Sequence, residues 1–384
     1  MNSPAPRPLD GVLVLDFSMM IAGPLCGMVC ADLGADVIKV ESPAGDGSRH
    51  YFSADPTVQF NSMTEAFNRG KRSLVVDLTD PDDLALVRRI AARADVVIEA
   101  FRPGVMKKFG LDYDTLRAGR EDLIYVSISG FGQQGPDASR AGFDTALQAE
   151  SGLMHVTGEP DGQPTRIGTQ IIDVATGHIA AQALLAAMLN RERHGVGDWV
   201  HTSLLDTAIS MQSHNYTEYL TVGVPLERSG AHPTFTTPSG TYETSDGLIL
   251  FSANTTKHWA ALVAALGDPE LADPAYADQT GRGAAREFLM ERIAAIIKSQ
   301  PTEEWVRRFT DAGIVFAQIR DYPSAMQWEQ IAANDIPVDV SREGRDVHTV
   351  RLPARYHAFS PAAQSAAPLL GEDTAQLRSE YAGD

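Results

Sequence analysis

The chain has 384 residues and carries 32 Lys and Arg against 50 Asp and Glu, a formal net charge of −18 at pH 7 that speaks against a nucleic-acid binder. Hydrophobic residues at 43% and charged residues at 21% match folded globular proteins and exclude disordered, collagen-like and coiled-coil classes. The length exceeds the ~100–200 residues of a typical domain, so two domains, or a large one with a smaller insertion, are expected. Two cysteines, Cys26 and Cys30, cannot form a disulfide framework and lack further ligands at metal spacing; they read as small apolar side chains one helical turn apart.

Met1 to Pro8 holds a lone Arg7 and three prolines and lacks the apolar stretch of a signal peptide. The first two hundred residues then alternate β-rich runs with helical patterns, the signature of a parallel sheet in an α/β fold. Strands are expected at Val12 to Asp16, Val37 to Val40, Leu74 to Asp77, Val96 to Glu99 and Ile124 to Ser129. Helices are expected at Pro24 to Leu33 and at Asp82 to Arg93, the second opened by Asp80 as N-cap with Pro81 at N1. Val174 to Arg193 reads as a long helix with Ile179, Ala183, Leu184, Ala187 and Met188 on one face, ending at His194-Gly195. Its apolar run, Ile179 to Leu189, is too short for a bilayer and contains Gln182, so a cytoplasmic protein without a membrane partner is expected.

From Val224 to Gly247 the composition turns to Pro, Gly, Thr and Ser and the helical period is lost, which marks a boundary. Beyond it, a strand at Leu248 to Phe251 and helices at Lys257 to Leu266, Ala284 to Lys298 and Thr302 to Ala312 suffice for a smaller α+β unit. The tail from Pro337 mixes short strands with Pro and Gly.

Gly130-Phe-Gly-Gln-Gln-Gly135 matches the dinucleotide pattern GxGxxG, but Pro136 to Arg140 contains no apolar periodic run. It therefore reads as a glycine-rich loop leaving a strand rather than an NAD or FAD site. Basic residues gather at Arg69, Lys71 and Arg72 and at Arg102, Lys107 and Lys108; such clusters are either a solvated rim or a local phosphate site in a negative field. Asp173 precedes the long helix directly. It reads as an N-cap, or as an exposed, ionised nucleophile beside Thr176 and Gly177, small residues that let a ligand approach the backbone. No HxxxH, HExxH or GxSxG pattern occurs, which removes zinc and serine hydrolase chemistry.

Taken together, these residues resemble the family III CoA-transferases, the group with formyl-CoA transferase and the carnitine CoA-transferases, whose fold also serves α-methylacyl-CoA racemase. The resemblance rests on Pro8 to Phe17, Ala22-Gly-Pro24, Leu33 to Glu41, Asn68 to Ser73, Phe101-Arg-Pro-Gly104, Ser129-Gly-Phe-Gly132 and Gly195-Val-Gly197, in order at family spacing. After residue 200, Thr241 to Leu250 is the best match. The resemblance implies a Rossmann-like large domain with a parallel sheet, an inserted α+β domain and an interlocked, ring-like homodimer. Its boundaries fall at 1–224, 225–330 and 331–384, the last segment completing the large domain. It implies Asp173 as catalytic carboxylate and CoA contacts at Ala22, Val76, Asp77, Leu78, Thr79, Ala100, Phe101, Arg102, Lys108, Ala141 and Asp144. Ile21 and Ser42 depart from the polar or basic contacts of some members.

The same resemblance separates transferase from racemase. Racemases carry Gly-His-Asp where this chain has Gly142-Phe143-Asp144, and phenylalanine cannot move a proton. The implied reaction moves CoA from an acyl-CoA to a small free carboxylic acid, with the CoA thioester as substrate and no prosthetic group. Asp173 attacks the donor thioester to give a mixed anhydride, and the CoA thiolate then attacks the aspartyl carbonyl. A polyglycine loop found in some oxalate-using members is absent from Ser229 to Gly240, and succinyl-CoA with a short dicarboxylate is the favoured pair. A racemase of the same fold, an NAD-dependent oxidoreductase and a non-catalytic acyl-CoA-binding protein are the alternatives.

Overall fold

A computed structural model describes residues 6–51, 60–233, 235–361 and 365–383. Met1 to Ala5 of the proline-bearing N-terminus and Thr234 of the Ser229 to Gly240 stretch lie outside the described residues. Six strands, β1 (Leu13–Asp16), β2 (Asp36–Glu41), β3 (Arg72–Val75), β4 (Val96–Glu99), β5 (Ile124–Ser129) and β6 (Trp199–Ser203), pair in parallel in the order β3-β2-β1-β4-β5-β6. That is the doubly wound order, and it places the topological switch between β1 and β4.

Neighbouring strand residues point to opposite faces, and both faces are apolar. Val14, Val37, Val96 and Ile124 pack on one side against α1 (Ala22–Asp32). Leu15, Ile38, Leu74 and Val97 pack on the other against Leu86, Val87 and Ile90, which lie in a helix at Pro81–Arg93. With α2 at Ser62–Asn68, that helix is α3, and its Asp80 carboxylate accepts the N–H groups of Asp82 and Asp83 as expected. Short helices α4 (Val105–Lys108), α5 (Tyr113–Leu116) and α6 (Asp144–Glu150) precede the long α7 (Ile171–His194).

At 24 residues α7 is long and apolar enough to cross a bilayer by length and composition, which corrects the shorter Ile179 to Leu189 run. Its stripe of Ile172, Thr176, Ala180, Leu184 and Ala187 is instead buried within the protein. Gly177 belongs to that stripe, and a Cβ there would lie 2.7 Å from the Ala22 carbonyl oxygen of α1. Gly177 is therefore a helix-packing residue, and Thr176 is fully buried with its hydroxyl donating to the Ile172 carbonyl; neither faces a ligand.

β6 has no counterpart among the expected strands. It is the edge strand, its residues alternate exposed and half-buried, and its sequence Trp-Val-His-Thr-Ser is correspondingly polar. The opposite edge, β3, is covered by residues from the tail: the Asp373 carboxylate accepts the Ser73 N–H and the Thr374 hydroxyl accepts the Val75 N–H. Leu377, on the helix Thr374–Glu380, joins the core beneath. The remaining tail strands, Pro337–Arg342 and Arg345–Val350, form their own antiparallel pair.

The chain divides into two units. The first comprises Met1–Leu153, Arg166–Gly223 and Ala332–Asp384; the second comprises Met154–Thr165 and Val224–Ile331. In the second, three antiparallel strands at Ser239–Glu243, Leu248–Ser252 and Val315–Gln318 carry Tyr242 and Phe251. These pack with Trp259, Leu262, Ile293, Trp305 and Phe309 from helices at Thr256–Leu266, Arg286–Lys298 and Thr302–Ala312.

Candidate active site

Ligands of doubly wound sheets bind outside the carboxyl ends of the strands at the switch point. Two cavities open there in the first unit. One, of about 300 Å³, is walled by Phe17 and Met19 after β1, Val40 to Ser42 at the end of β2, Val76 to Thr79 after β3, and Phe101 and Phe109. The other, of about 370 Å³, is walled by Met19 to Gly23, Ala100 to Pro103, Ile128 to Gly130, Ala138, Arg140 to Phe143, Leu204 and Asp173. Met19 and Phe101 line both.

The structure thus brings Ala22, Ala100, Phe101, Arg102 and Ala141 into the cavity that holds Asp173, and Val76, Asp77, Leu78 and Thr79 into its neighbour. Ile21 and Ser42 line the second and first cavity respectively. Lys108 lies outside both linings, exposed on α4, and Asp144 is buried behind Asp173.

Asp173 is not an N-cap. It occupies the first turn of α7, whose N-cap residue, Gln170, makes no side-chain capping bond. The cap comes from α6: the Asp144 carboxylate accepts the N–H groups of Ile172 at 2.8 Å and Asp173 at 3.1 Å. Gln148 donates to the same carboxylate at 2.5 Å and accepts the Ile167 N–H, which ties α6 to the approach of α7. Sequence spacing gave no sign of this arrangement, because the capping group stands 29 residues upstream.

Nor is Asp173 an exposed, comfortably ionised group. It is half-buried, and burial, helped by the Asp144 carboxylate, pushes its carboxyl up to about 7. No cation offsets that cost, since Asp173 appears in none of the ion pairs of the described residues. A second carboxyl at the switch point, Glu99 at the end of β4, is also raised to about 7 by burial, although Ser127 and the Phe101 N–H donate to it. Through Phe101 it steadies the loop that walls both cavities.

The loop between β1 and α1 is fixed by buried charge. Lys39 donates to Asp46 at 2.7 Å and to the Ser18 carbonyl; Asp46 in turn accepts the Met20 N–H. Met20 is held in the left-handed region at φ 68°, a conformation unusual for its side chain and common at functional sites. Lys71 reaches Asp16 at 2.8 Å, Asn68 and the Pro24 carbonyl. Gly23 is required by this close packing, because a Cβ there would overlap the Ser18 side chain at 2.1 Å.

These pairs correct the reading of the first basic cluster. Arg69 and Lys71 are almost wholly buried, Arg69 against Asp32, and Arg72 is held by Asp36 and Glu380. They are neither a solvated rim nor a phosphate site, because remote carboxylates consume their charge. Arg102, Lys107 and Lys108 are exposed and have no ion-pair partner among the described residues.

The family model for CoA-transferase family III matches residues 9–374. A protein of Mycobacterium tuberculosis named as a probable fatty acyl-CoA transferase is 36% identical over 97% of this chain and 98% of its own length. The succinate–glutarate CoA-transferase of Agrobacterium fabrum is 35% identical over 97% of this chain and 95% of its own length. Among solved structures, a CAIB/BAIF family protein from Brucella suis covers 98% of this chain and 99% of its own at 34% identity, with a TM-score of 0.88. The Mycobacterium tuberculosis protein covers 98% and 100% at 36% identity, with a TM-score of 0.87. A switch-point crevice, a carboxylate in its wall and a match that runs nearly from end to end agree: the chain belongs to CoA-transferase family III.

Proposed function

We propose that this enzyme transfers CoA from succinyl-CoA to a short dicarboxylic acid, with Asp173 as the nucleophile. The observation that carries the reading is the placement of Asp173, uncompensated by any cation, in the wall of the cavity that also holds Ala22, Ala100 to Arg102 and Ala141. Relatives named for succinyl-CoA with glutarate and with mesaconate support the substrate class.

In this reading CoA runs from the cavity at Val76 to Thr79 toward Asp173, with the exposed cations Arg102 and Lys108 drawn to its phosphates. The Asp173 carboxylate attacks the donor thioester carbonyl, the C–S bond breaks, and an aspartyl–acyl anhydride and CoA thiolate result. The thiolate attacks the aspartyl carbonyl, releasing the donor acid and leaving CoA on Asp173. The acceptor carboxylate repeats the two steps in reverse order, so one difficult exchange becomes several easier ones.

A desolvated carboxylate with a raised pKa is a better nucleophile than a solvated one, which gives the burial of Asp173 a chemical use. The first N–H groups of α1, at Ala22 and Gly23 in the same wall, are offered to the oxyanions, since the N-cap Ile21 brings no side-chain acceptor. Asp144 acts as a positioning residue through the backbone of α7.

The enzyme is further proposed to be a cytoplasmic homodimer. Both cysteines are free, and Tyr219, Leu220 and Val222 are exposed on the helix Ser213–Val222, which buries no residue in the single chain. The domain limits 1–224, 225–330 and 331–384 are kept in this reading with one change, the segment Met154–Thr165 being counted with the second unit.

The test is incubation with succinyl-CoA followed by hydroxylamine or borohydride trapping and peptide mass spectrometry. Modification at Asp173, lost with transfer activity in Asp173→Ala, is expected. An unmodified Asp173, with Asp173→Ala still active, overturns the assignment.

A further inference from the structure

An acceptor with two carboxylates brings a second charge into the cavity that holds Asp173. Met19, Ile21, Ile128, Phe143 and Leu204 make much of that wall apolar, and an unpaired carboxylate is strongly disfavoured there. Two cations line the cavity, Arg102 and Arg140. Arg102 stands in the loop after β4, also lines a neighbouring hollow with Lys107, and is given above to the CoA phosphates. Arg140 has no such employment.

Its guanidinium is already held in place. It lies 4.8 Å from the centroid of the Phe131 ring, and one terminal nitrogen donates to Glu150. Both side chains of that ion pair are about half exposed, at 46% and 44%, so the pair is weak and open to competition from a ligand. The other N–H groups of the fork have no partner among the described residues, and a planar fork suits a carboxylate.

We propose that Arg140 binds the distal carboxylate of the acceptor and, with Glu150 as its resting counter-ion, sets the preference for dicarboxylic over monocarboxylic acids. This rests on the reading of Asp173 as the residue that carries CoA. In a ping-pong exchange kcat/KM for the acceptor reports only the half-reaction after CoA is on Asp173, so the donor drops out of the comparison.

The experiment measures kcat/KM for glutarate and for pentanoate, a chain of equal length with a methyl group in place of one carboxylate, using succinyl-CoA as donor. The glutarate-to-pentanoate ratio should fall about 10- to 100-fold in Arg140→Ala, the scale of one lost charge-assisted pair. Arg140→Lys should recover part of it, and Glu150→Gln should raise the ratio by about two- to fivefold by freeing the guanidinium. A ratio unchanged in Arg140→Ala and Glu150→Gln overturns the inference. So does a wild type that carries CoA on Asp173 yet shows no preference for glutarate, the outcome expected of an enzyme for long monocarboxylic acids. Absence of any trapped adduct on wild-type Asp173 overturns the underlying reading instead.

Discussion

The two halves of the switch point treat buried carboxylates in opposite ways. On the side of β1, β2 and β3, Asp16, Glu41 and Asp46 each meet a Lys or Arg within 2.8 Å. Burial raises Glu41 and Asp46, but Arg49 and Lys39 outweigh it and hold both below the usual carboxylate range. On the side of β4 and α7, buried Glu99 has hydrogen-bond donors and half-buried Asp173 a like charge for company, and both rise to about 7. A chain short of cations has paired them with the carboxylates of the frame, while Asp173 has no ion-pair partner among the described residues. Ion-paired and unpaired carboxylates are separated across the sheet.

The strongest way to break this contrast is at Asp173 itself. Asp173→Asn should lower transfer by on the order of 10⁴-fold or more, the scale of losing a covalent nucleophile, read by succinyl-CoA-dependent exchange. On the paired side, Lys71→Met leaves the Asp16 carboxylate buried without its cation, with only Ser18 donating to it among the described residues, and should cost about 3–5 kcal/mol in urea unfolding.

Asp173→Asn should have the opposite sign in the same assay. A carboxyl raised in the folded state binds its proton more tightly than in the unfolded chain, so stability falls as pH rises from about 4 to about 7. Removing it should stabilise the protein at pH 8 by roughly 1–2 kcal/mol, a full shift being discounted for partial exposure, and the gain should vanish near pH 4.

The catalytic counterpart is an acid limb. kcat/KM for the donor should fall tenfold per pH unit below about 7, and Asp144→Asn, by removing a neighbouring negative charge, should move that limb to lower pH by about half a unit to one unit. A limb that stays in place would show that burial alone sets it. The smallest effect belongs to Glu99→Gln, a neutral isostere of a group half-protonated near neutrality: within about 1 kcal/mol, seen as a slight gain at pH 8 in thermal melts.

What could be read from the sequence follows from range. Val12 to Asp16, Val96 to Glu99 and Ile124 to Ser129 are apolar because both faces of the sheet are covered, and they register as strands without knowledge of their partners. β6 does not register because an edge strand keeps polar residues. Asp80 and Pro81 announce their helix because cap and helix are adjacent. α7 begins earlier than its apolar period because its cap is lent by Asp144. The same distance problem hid Lys71 and Asp16, 55 residues apart, and made buried cations look like a surface cluster. Arg140 was hidden by its surroundings, a loop of Gly, Pro and Ser without periodicity.

Gly177 gives the site a dimension that no ligand sets. With no side chain between α7 and the carbonyl of Ala22, the two helices that present Asp173 and the first amides of α1 are spaced by their own backbones. Asp173 and those amides thus form a jig of fixed gauge, machined into the core. Under the proposed chemistry, every acid that reacts there must fit the same measure, and selection among acids falls to the loops around it, which can change without resetting the tool.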